Sequence, residues 1–538
     1  MRYHFRKILA SAFLAAGMVF VDTFVGFAPR NQAVSSAETI MHSNVVQYGA
    51  RLDAATAYIN KGTTGAPDIS VAGRFSAADI AKDILVYAPL SPSTPGYKPN
   101  IFTGCIQHVS GAGTIRLGVW RGKTCLPASY PGQTVTSAYP TFIYGHDSTE
   151  ALQAAVDTLE PGKQLVLDGT VIIHDTITFR NKTGGEFRGI TMNGQVRQVP
   201  FTGSNIVWAG PAGKPMFRFE NTGGMYIHDL HFVGNSYPQS RPSALIDIGQ
   251  SAGALPANRF QGISNMYGSA FDSAFDTADN GIYIESHSNR TADKFTNIRL
   301  FNLGLSCFNN QNSEASQLDF SNVTCQHVPV GLYCVNGGRV SLSGATEIIT
   351  VGQIFHLGGG CSVSAVDVEP ENDSPGEEGI TQLAYFEKGN GGNGGGSLSI
   401  GRGGFGPVSK LPTAARASFL GHRLTPNALV DTDTSAPVNL ELGAFGFYFT
   451  AQAKYAYRRP SPWLVHLPSV GGPSVHTFRC QLCLGLGPSN IDLYPGGYMQ
   501  SRNTIEIINM PGFGAPSLFV RQVLSGNQRF NPNAGGIF

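Results

Sequence analysis

Short apolar runs alternating with polar positions fill most of this chain, and one segment carries a different period. Residues 147–159 read DSTEALQAAVDTL. Ala151, Leu152, Ala155, Val156 and Leu159 fall on one stripe at helical spacing. Asp147 followed by Glu150 is a capping box, and Pro161-Gly162 is a stop. Strand-like runs come next at 164–167, 170–173 and 176–179, with Asp168-Gly169 as a turn. No second amphipathic helix follows for a couple of hundred residues, which argues against an ordinary α/β start. Further runs begin at Ile227, Phe260, Phe295, Leu318, Val340 and Val363, the last four at steps of 23, 22 and 23 residues. A period in the low twenties suits one coil of a solenoid, whose apolar face is buried only by stacking on its neighbours. A leucine-rich repeat would need regular Leu and an Asn ladder, and a β-sandwich would space its strands less evenly. The pattern predicts an all-β fold: a right-handed parallel β-helix with an N-terminal capping helix, an inserted small region and a β-rich C-terminal part.

The same helix carries a motif. Asp147, Ser148, Thr149, Ala151, Leu152, Gln153, Ala155, Val156 and Asp157 fit D-[DS]-T-x-A-[IL]-Q-x-A-[IV]-D. Val45, Tyr48, Gly49, Ala50 and Asp53 fit an entry segment V-x-x-[FY]-G-A-x-x-D. Together with the strand and turn at 165–171 and a weaker glycine motif at 190–194, these resemble the N-terminal part of the pectate-lyase superfamily. That superfamily includes secreted polysaccharide-degrading enzymes and phage tailspikes. The resemblance implies the β-helix and a carbohydrate ligand, but these motifs are architectural and specify no reaction. In the family only a few residues separate entry segment and helix; here 54–146 intervene, so an insertion is expected.

Four regions follow. Residues 1–37 read as an export signal, with Arg2, Arg6 and Lys7 ahead of an apolar stretch 8–21 and cleavage before Glu38. A shallow anchor over 8–28 is the alternative, against which Asp22 counts. Residues 38–146 hold the entry segment and insert, 147–410 the β-helix, and 411–538 late coils or a β-rich cap. The expected location is secreted, periplasmic or at the cell surface, with no membrane partner after cleavage. Eight cysteines suit an oxidising compartment. Cys105 and Cys125, alone in the insert, are a natural pair. Connectivity among Cys307, Cys325, Cys334 and Cys361 stays open. Cys480 and Cys483 form a lone CxxC in a strand-like run, which favours a structural role over metal or redox chemistry. A net charge of +1 leaves no basic excess for nucleic acid. A polyanionic substrate would have to be held by local basic residues.

Lysis of a uronic-acid polymer needs a group that neutralises the carboxylate, a base at C5 and an acid at the leaving oxygen. Hydrolysis needs two carboxylates flanking the bond. The densest acidic cluster is Asp272, Asp276, Asp279 and Glu285, followed by Arg290, Lys294 and Arg299. Aligning the coils puts Arg299, Thr324, Thr346 and Asp367 in one outward row. His231 joins from an earlier coil, and Glu347, Glu369 and Glu371 lie close by. Arg299, Asp276, Asp279 and Asp367 are therefore the catalytic candidates, and His231, Glu285, Glu347 and Glu369 the substrate-binding ones. A carboxylate pair among them would suit Ca²⁺, though no metal ligand set is assigned. The plain alternative is that such residues are solvated spacers and that His228 and His231 make local hydrogen bonds. The D-D and G-H-G elements of the superfamily's hydrolases are absent, as are the W-x-D-H and R-x-P signatures of its best-known pectate lyases. The expected function is a polysaccharide lyase acting on an acidic polysaccharide by β-elimination. The alternatives are a glycoside hydrolase on the same fold and a non-catalytic surface or exopolysaccharide-binding protein.

Overall fold

The structure is a computed structural model that describes residues 42–58, 64–65, 68–70, 75–87, 100–110, 114–127, 141–190, 203–249, 262–269, 278–285, 293–312, 317–369, 382–387, 395–405, 428–432, 436–447, 463–466, 476–484, 491–492, 502–507 and 520–525. The export segment and the cleavage point before Glu38 lie outside these residues. Among the described residues no helix is long and apolar enough to cross a membrane.

Parallel pairing dominates: among the described residues 25 strands join in one sheet system, in which Val520–Ser525 alone pairs antiparallel. Their pairing falls into three series. The strand Leu318–Cys334 shows the order: residues 318–321 pair in the first series, 323–326 in the second and 330–334 in the third. The next strand, Arg339–Gly358, repeats the sequence one step further along. The chain therefore visits three series in turn and comes back to the first, as a repeat in the low twenties requires. Leu318 pairs with Val340 and Val340 with Val363, matching two of the expected steps. The third differs, because Phe295 faces Phe320 and not Leu318. Pairing in the first series continues past residue 410, through Leu442 and Cys480 to Ile507.

One buried apolar cluster runs through the stack from Val45 to Phe478. Register partners stack ring on ring inside it, Phe179 on Phe219 and Phe295 on Phe320, each at 4.6 Å. A fully buried side chain of this kind contributes about 1.5–3 kcal/mol. Cys307–Cys325 and Cys334–Cys361 are disulfides among the coils, and Cys105–Cys125 is the pair expected in the insert. Closing loops of this length stabilises by about 3 kcal/mol each in the chain-entropy account. Cys480 and Cys483 lie in the strand Thr477–Leu484, so this CxxC does not open a helix.

A single left-handed residue makes the bend between the first and second series: Asp229, Asn297, Asn322 and Gly344, with φ of 57°, 55°, 54° and 68°. Asn and Asp tolerate this conformation better than other side chains. Asn322 Nδ2 donates to Asn297 Oδ1 at 3.1 Å, and Asn322 Oδ1 accepts from the Ala345 backbone N–H at 3.2 Å. The bend positions thus form a short ladder of mixed residue type, in which Asn297 and Asn322 are hydrogen-bonded. At Gly344 the bend also gains a residue. Asn322 alone separates Ser321 from Val323, while Gly344 and Ala345 separate their partners Ser343 and Thr346. This β-bulge shifts everything after it by one position.

Three devices close the edges of the first strands. His42–Asn44 pairs with Gln164–Leu167, and Asp147 bridges to Ile172. The Gln153 side-chain amide then imitates a backbone peptide: Nε2 donates to the Thr178 carbonyl at 2.9 Å and Oε1 accepts from the Thr178 N–H at 2.8 Å. The helix Thr149–Asp157 that carries Gln153 buries Leu152, Ala155 and Val156 completely. Its predicted capping box does not form. The N-cap is Ser148, whose hydroxyl instead accepts from the Arg51 N–H at 2.9 Å; Asp147 Oδ1 accepts from Thr149 N at 2.9 Å, and Glu150 pairs with Lys123. The inserted residues form an eight-stranded sheet of antiparallel pairs. Along its strand Asp83–Tyr87, Ile84 and Val86 enter the insert's own core, while Leu85 and Tyr87 pack on Ile172, Val207 and Val233 of the second series.

Candidate functional site

Strand register places Asn205, His231, Tyr267, Arg299, Thr324, Glu347 and Glu369 at one position of successive strands in the second series. His231, Arg299 and Thr324 therefore share a row, as the sequence suggested, and Glu347 and Glu369, expected only close by, take positions in it. Thr346 and Asp367 do not belong to it. The bulge at Gly344 brings Glu347 opposite Thr324, leaves Thr346 buried, and puts Asp367 one residue short of the bend's far side. Asp367 instead pairs across strands with Arg402, which donates from Nε at 3.1 Å and also from Nη2. Arg299 is exposed and Glu347 half-buried, and Glu347 accepts from Gln326 Nε2 at 3.1 Å.

The insert decides where this row opens. It covers the neighbouring apolar positions Ile172, Val207 and Val233. Further along, Val233 is succeeded in register by Ser269, and Phe301 by Gln326. His231 stands in this row where the covered positions end. Asn205 Nδ2 donates to Thr170 Oγ1 at 2.8 Å, so its Oδ1 accepts from His231 Nδ1 at 2.9 Å. Burial holds the His231 ring down at about 4, which keeps it neutral at pH 7.

The other predicted carboxylates lie elsewhere. Asp276 falls outside the described residues. Asp279 and Glu285 belong to the third series, where Asp279 is 2.9 Å from Arg241 Nε and Glu285 is 2.7 Å from Arg218 Nη1. They do not converge on one point as Ca²⁺ would require. Arg218 also contacts Asp247 at 2.6 Å and Glu220 at 2.7 Å, and Glu220 meets Arg180 at 2.6 Å. Burial, and then the charge of neighbouring Glu285, push Asp247 up to about 7 despite Arg218. These two carboxyls are within hydrogen-bonding reach of one another. Glycoside hydrolysis needs about 5–9.5 Å between its carboxyls, so this pair leaves no room for a sugar bond.

Asp247 gives a stability prediction. In the unfolded chain it ionises near 3.8, whereas in the folded protein it keeps its proton up to about 7. The folded state binds more protons in that window, so its contribution falls as pH rises from about 4 to about 7 and is level beyond. Asp247→Asn is expected to flatten this slope and to gain on the order of 1–3 kcal/mol over the parent near pH 8. Thermal unfolding of both proteins near pH 5 and pH 8 measures it; identical slopes would remove Asp247 as the cause.

The third series also carries a row that sequence reading missed: Arg218, Asp247, Tyr283, Asn309, Tyr333, His356, Tyr385 and Asp431. Tyrosine occupies every second strand from Tyr283 to Tyr385. His356 is enclosed between two of them, with ring centroids 4.6 Å from Tyr333 and 5.2 Å from Tyr385. Its nitrogens meet Gln353 Oε1 at 2.6 Å and Glu387 Oε2 at 2.9 Å. Burial, then the charge of Glu387, push the Tyr333 phenol up to about 12. The signal was present, since these tyrosines recur at 50 and 52 residues, about two coils each.

No known protein family, curated protein or solved structure matches this chain.

Proposed function

We propose that this chain is a right-handed parallel β-helix of the pectate-lyase type, exported from the cell, that cleaves an acidic polysaccharide by β-elimination on its second series of strands. The observation that carries this reading is the register of His231, Tyr267 and Arg299 on three consecutive strands, about 4.8 Å apart. Arg299 supplies a guanidinium for the uronate carboxylate, and neutralising that charge makes the C5 proton more acidic. The neutral His231 ring takes the proton. The electron pair left at C5 forms the C4–C5 double bond as the C4–O bond breaks, and the departing oxygen takes a proton from solvent. Glu347 and Glu369 hold sugar hydroxyls further along the row. The three disulfides support the extracytoplasmic part of the reading.

The test is incubation of the full chain with a panel of acidic polysaccharides while following the ultraviolet absorbance of the unsaturated uronate. Growth of that absorbance with new reducing ends is expected. Reducing ends without it would mean hydrolysis and would overturn elimination.

A second reading is favoured by the tyrosine row of the third series. Tyr283, Tyr333 and Tyr385 recur at two-strand steps of about 9.6 Å, with Asn309 and His356 between them. Such a row is a stacking platform for a chain of pyranose rings. Retained polysaccharide binding with neither product would support a protein that holds the polymer without cutting it.

A further inference from the structure

A cleft of about 540 Å³ opens where the insert meets the capping helix, and the row described above does not use it. Three distant segments line it: Tyr48 of the entry turn, Trp120 and Lys123 of the insert, and Asp147, Glu150 and His174 around the first coil. Its wall is held in place from behind. The fully buried Asp83 carboxylate accepts from Trp120 Nε1 at 2.7 Å and, through the same oxygen, binds His174 Nε2. The Trp120 ring stands edge-on to the His174 ring at 5.5 Å and 73°. His174 is also fixed by its backbone N–H, which donates to Thr149 Oγ1 at 2.7 Å. Burial pushes the Asp83 carboxyl up; burial works against the His174 charge too, but the Asp83 contacts, with the charges of Asp147 and Asp175, raise His174 overall. At the rim Lys123 Nζ meets Glu150 Oε1 at 2.6 Å, both side chains exposed.

The plain account is that Asp83 and His174 staple the insert to the coil. That explains the pair. It does not explain an open cleft beside it, walled by an oriented indole and rimmed by donors and acceptors of both signs. We propose that this cleft is a saccharide-binding site that takes a neutral pyranose unit. An indole wall suits the C–H face of a sugar ring, and the polar rim suits its hydroxyls. The charges select against an anion: Lys123 is matched by Glu150 and His174 by Asp83, which leaves Asp147. The site is therefore opposite in preference to the row containing Arg299, and it does not depend on the elimination reading.

Ala154 lines the cleft from the exposed side of the helix and takes no part in the core. Ala154→Phe should fill the space without disturbing Asp83, His174 or Trp120. With the full chain, methyl glucoside and N-acetylglucosamine are expected to change the tryptophan fluorescence saturably, since of the three tryptophans Trp120 alone lines the cleft, Trp208 is fully buried and Trp463 belongs to the strand Trp463–His466. Ala154→Phe should weaken that response at least about tenfold at an unchanged melting temperature. Galacturonate should bind at least about tenfold more weakly than the neutral sugars. Arg299→Ala should bind them as the parent does, which separates this site from the elimination site. The proposal is overturned if no neutral sugar gives a saturable response, if Ala154→Phe responds like the parent, or if galacturonate binds more tightly than the neutral sugars.

Discussion

Arg299→Ala is expected to lower the rate of uronate elimination at least about a hundredfold, the usual size of a lost charge-stabilising group, with little change in melting temperature. The side chain is exposed on a strand whose inward neighbours Ile298 and Leu300 hold it in register, so removing it leaves the core intact. Arg299→Lys keeps the charge but not the forked geometry that grips a carboxylate, and should recover part of the rate. The proposed base adds a pH signature. His231 accepts a proton only while neutral, and burial keeps it so down to about 4. The rate should therefore hold through mildly acid solution and fall as pH drops through about 4. Full activity of Arg299→Ala on every substrate would eliminate this row as the site while leaving the fold untouched.

Leu152→Asp is expected to prevent the protein from folding to a soluble form. Leu152 has no exposure and packs in the cluster that includes Val45, Leu165 and Phe179. Removing a buried Leu side chain alone costs about 2–5 kcal/mol. A carboxylate in its place must ionise without a partner or stay protonated in an apolar site, which adds more. Typical domains have about 5–15 kcal/mol in total. Leu152→Met, which conserves volume, should cost under about 1.5 kcal/mol. Soluble expression and circular dichroism of both variants decide the matter; a stable, soluble Leu152→Asp protein would mean that the helix does not seal the stack.

The capping stripe was legible because helical period is local: five residues within two and a half turns show it. The strand runs were legible for the same reason, with period two. Register was not. One extra residue at Gly344 exchanges Glu347 for Thr346 in the outward row, and no composition signal marks it. Sequence proximity also misled. Asp279 and Arg299 are 20 residues apart, close to one coil, but an irregular coil length carries them to the third and second series respectively. The ladder at Asp229, Asn297, Asn322 and Gly344 was hidden because its rungs are not one residue type and its steps are unequal. Cys105–Cys125 stood out as an isolated pair, whereas pairing Cys307 with Cys325 and Cys334 with Cys361 required knowing the path of each coil. The docking of the insert was illegible on other grounds. Asp83–Tyr87 is apolar at four consecutive positions, which marks a strand buried on both faces without naming what covers either.

Gln153 gives the stack a direction. Parallel strands expose a row of donors and acceptors at each end, and a free end is a template on which another copy can add. At this end the template is occupied: a short strand sits on the first series, Asp147 on the second, and a side-chain amide stands in for the next peptide on the third. In the language of polymer growth the end is terminated by the molecule's own chain. A second copy cannot extend the sheets from here without first displacing all three groups. Any fibre of this protein would therefore have to grow by some route other than continuation of the sheets at this end, and the capping helix serves solubility as much as it serves the core.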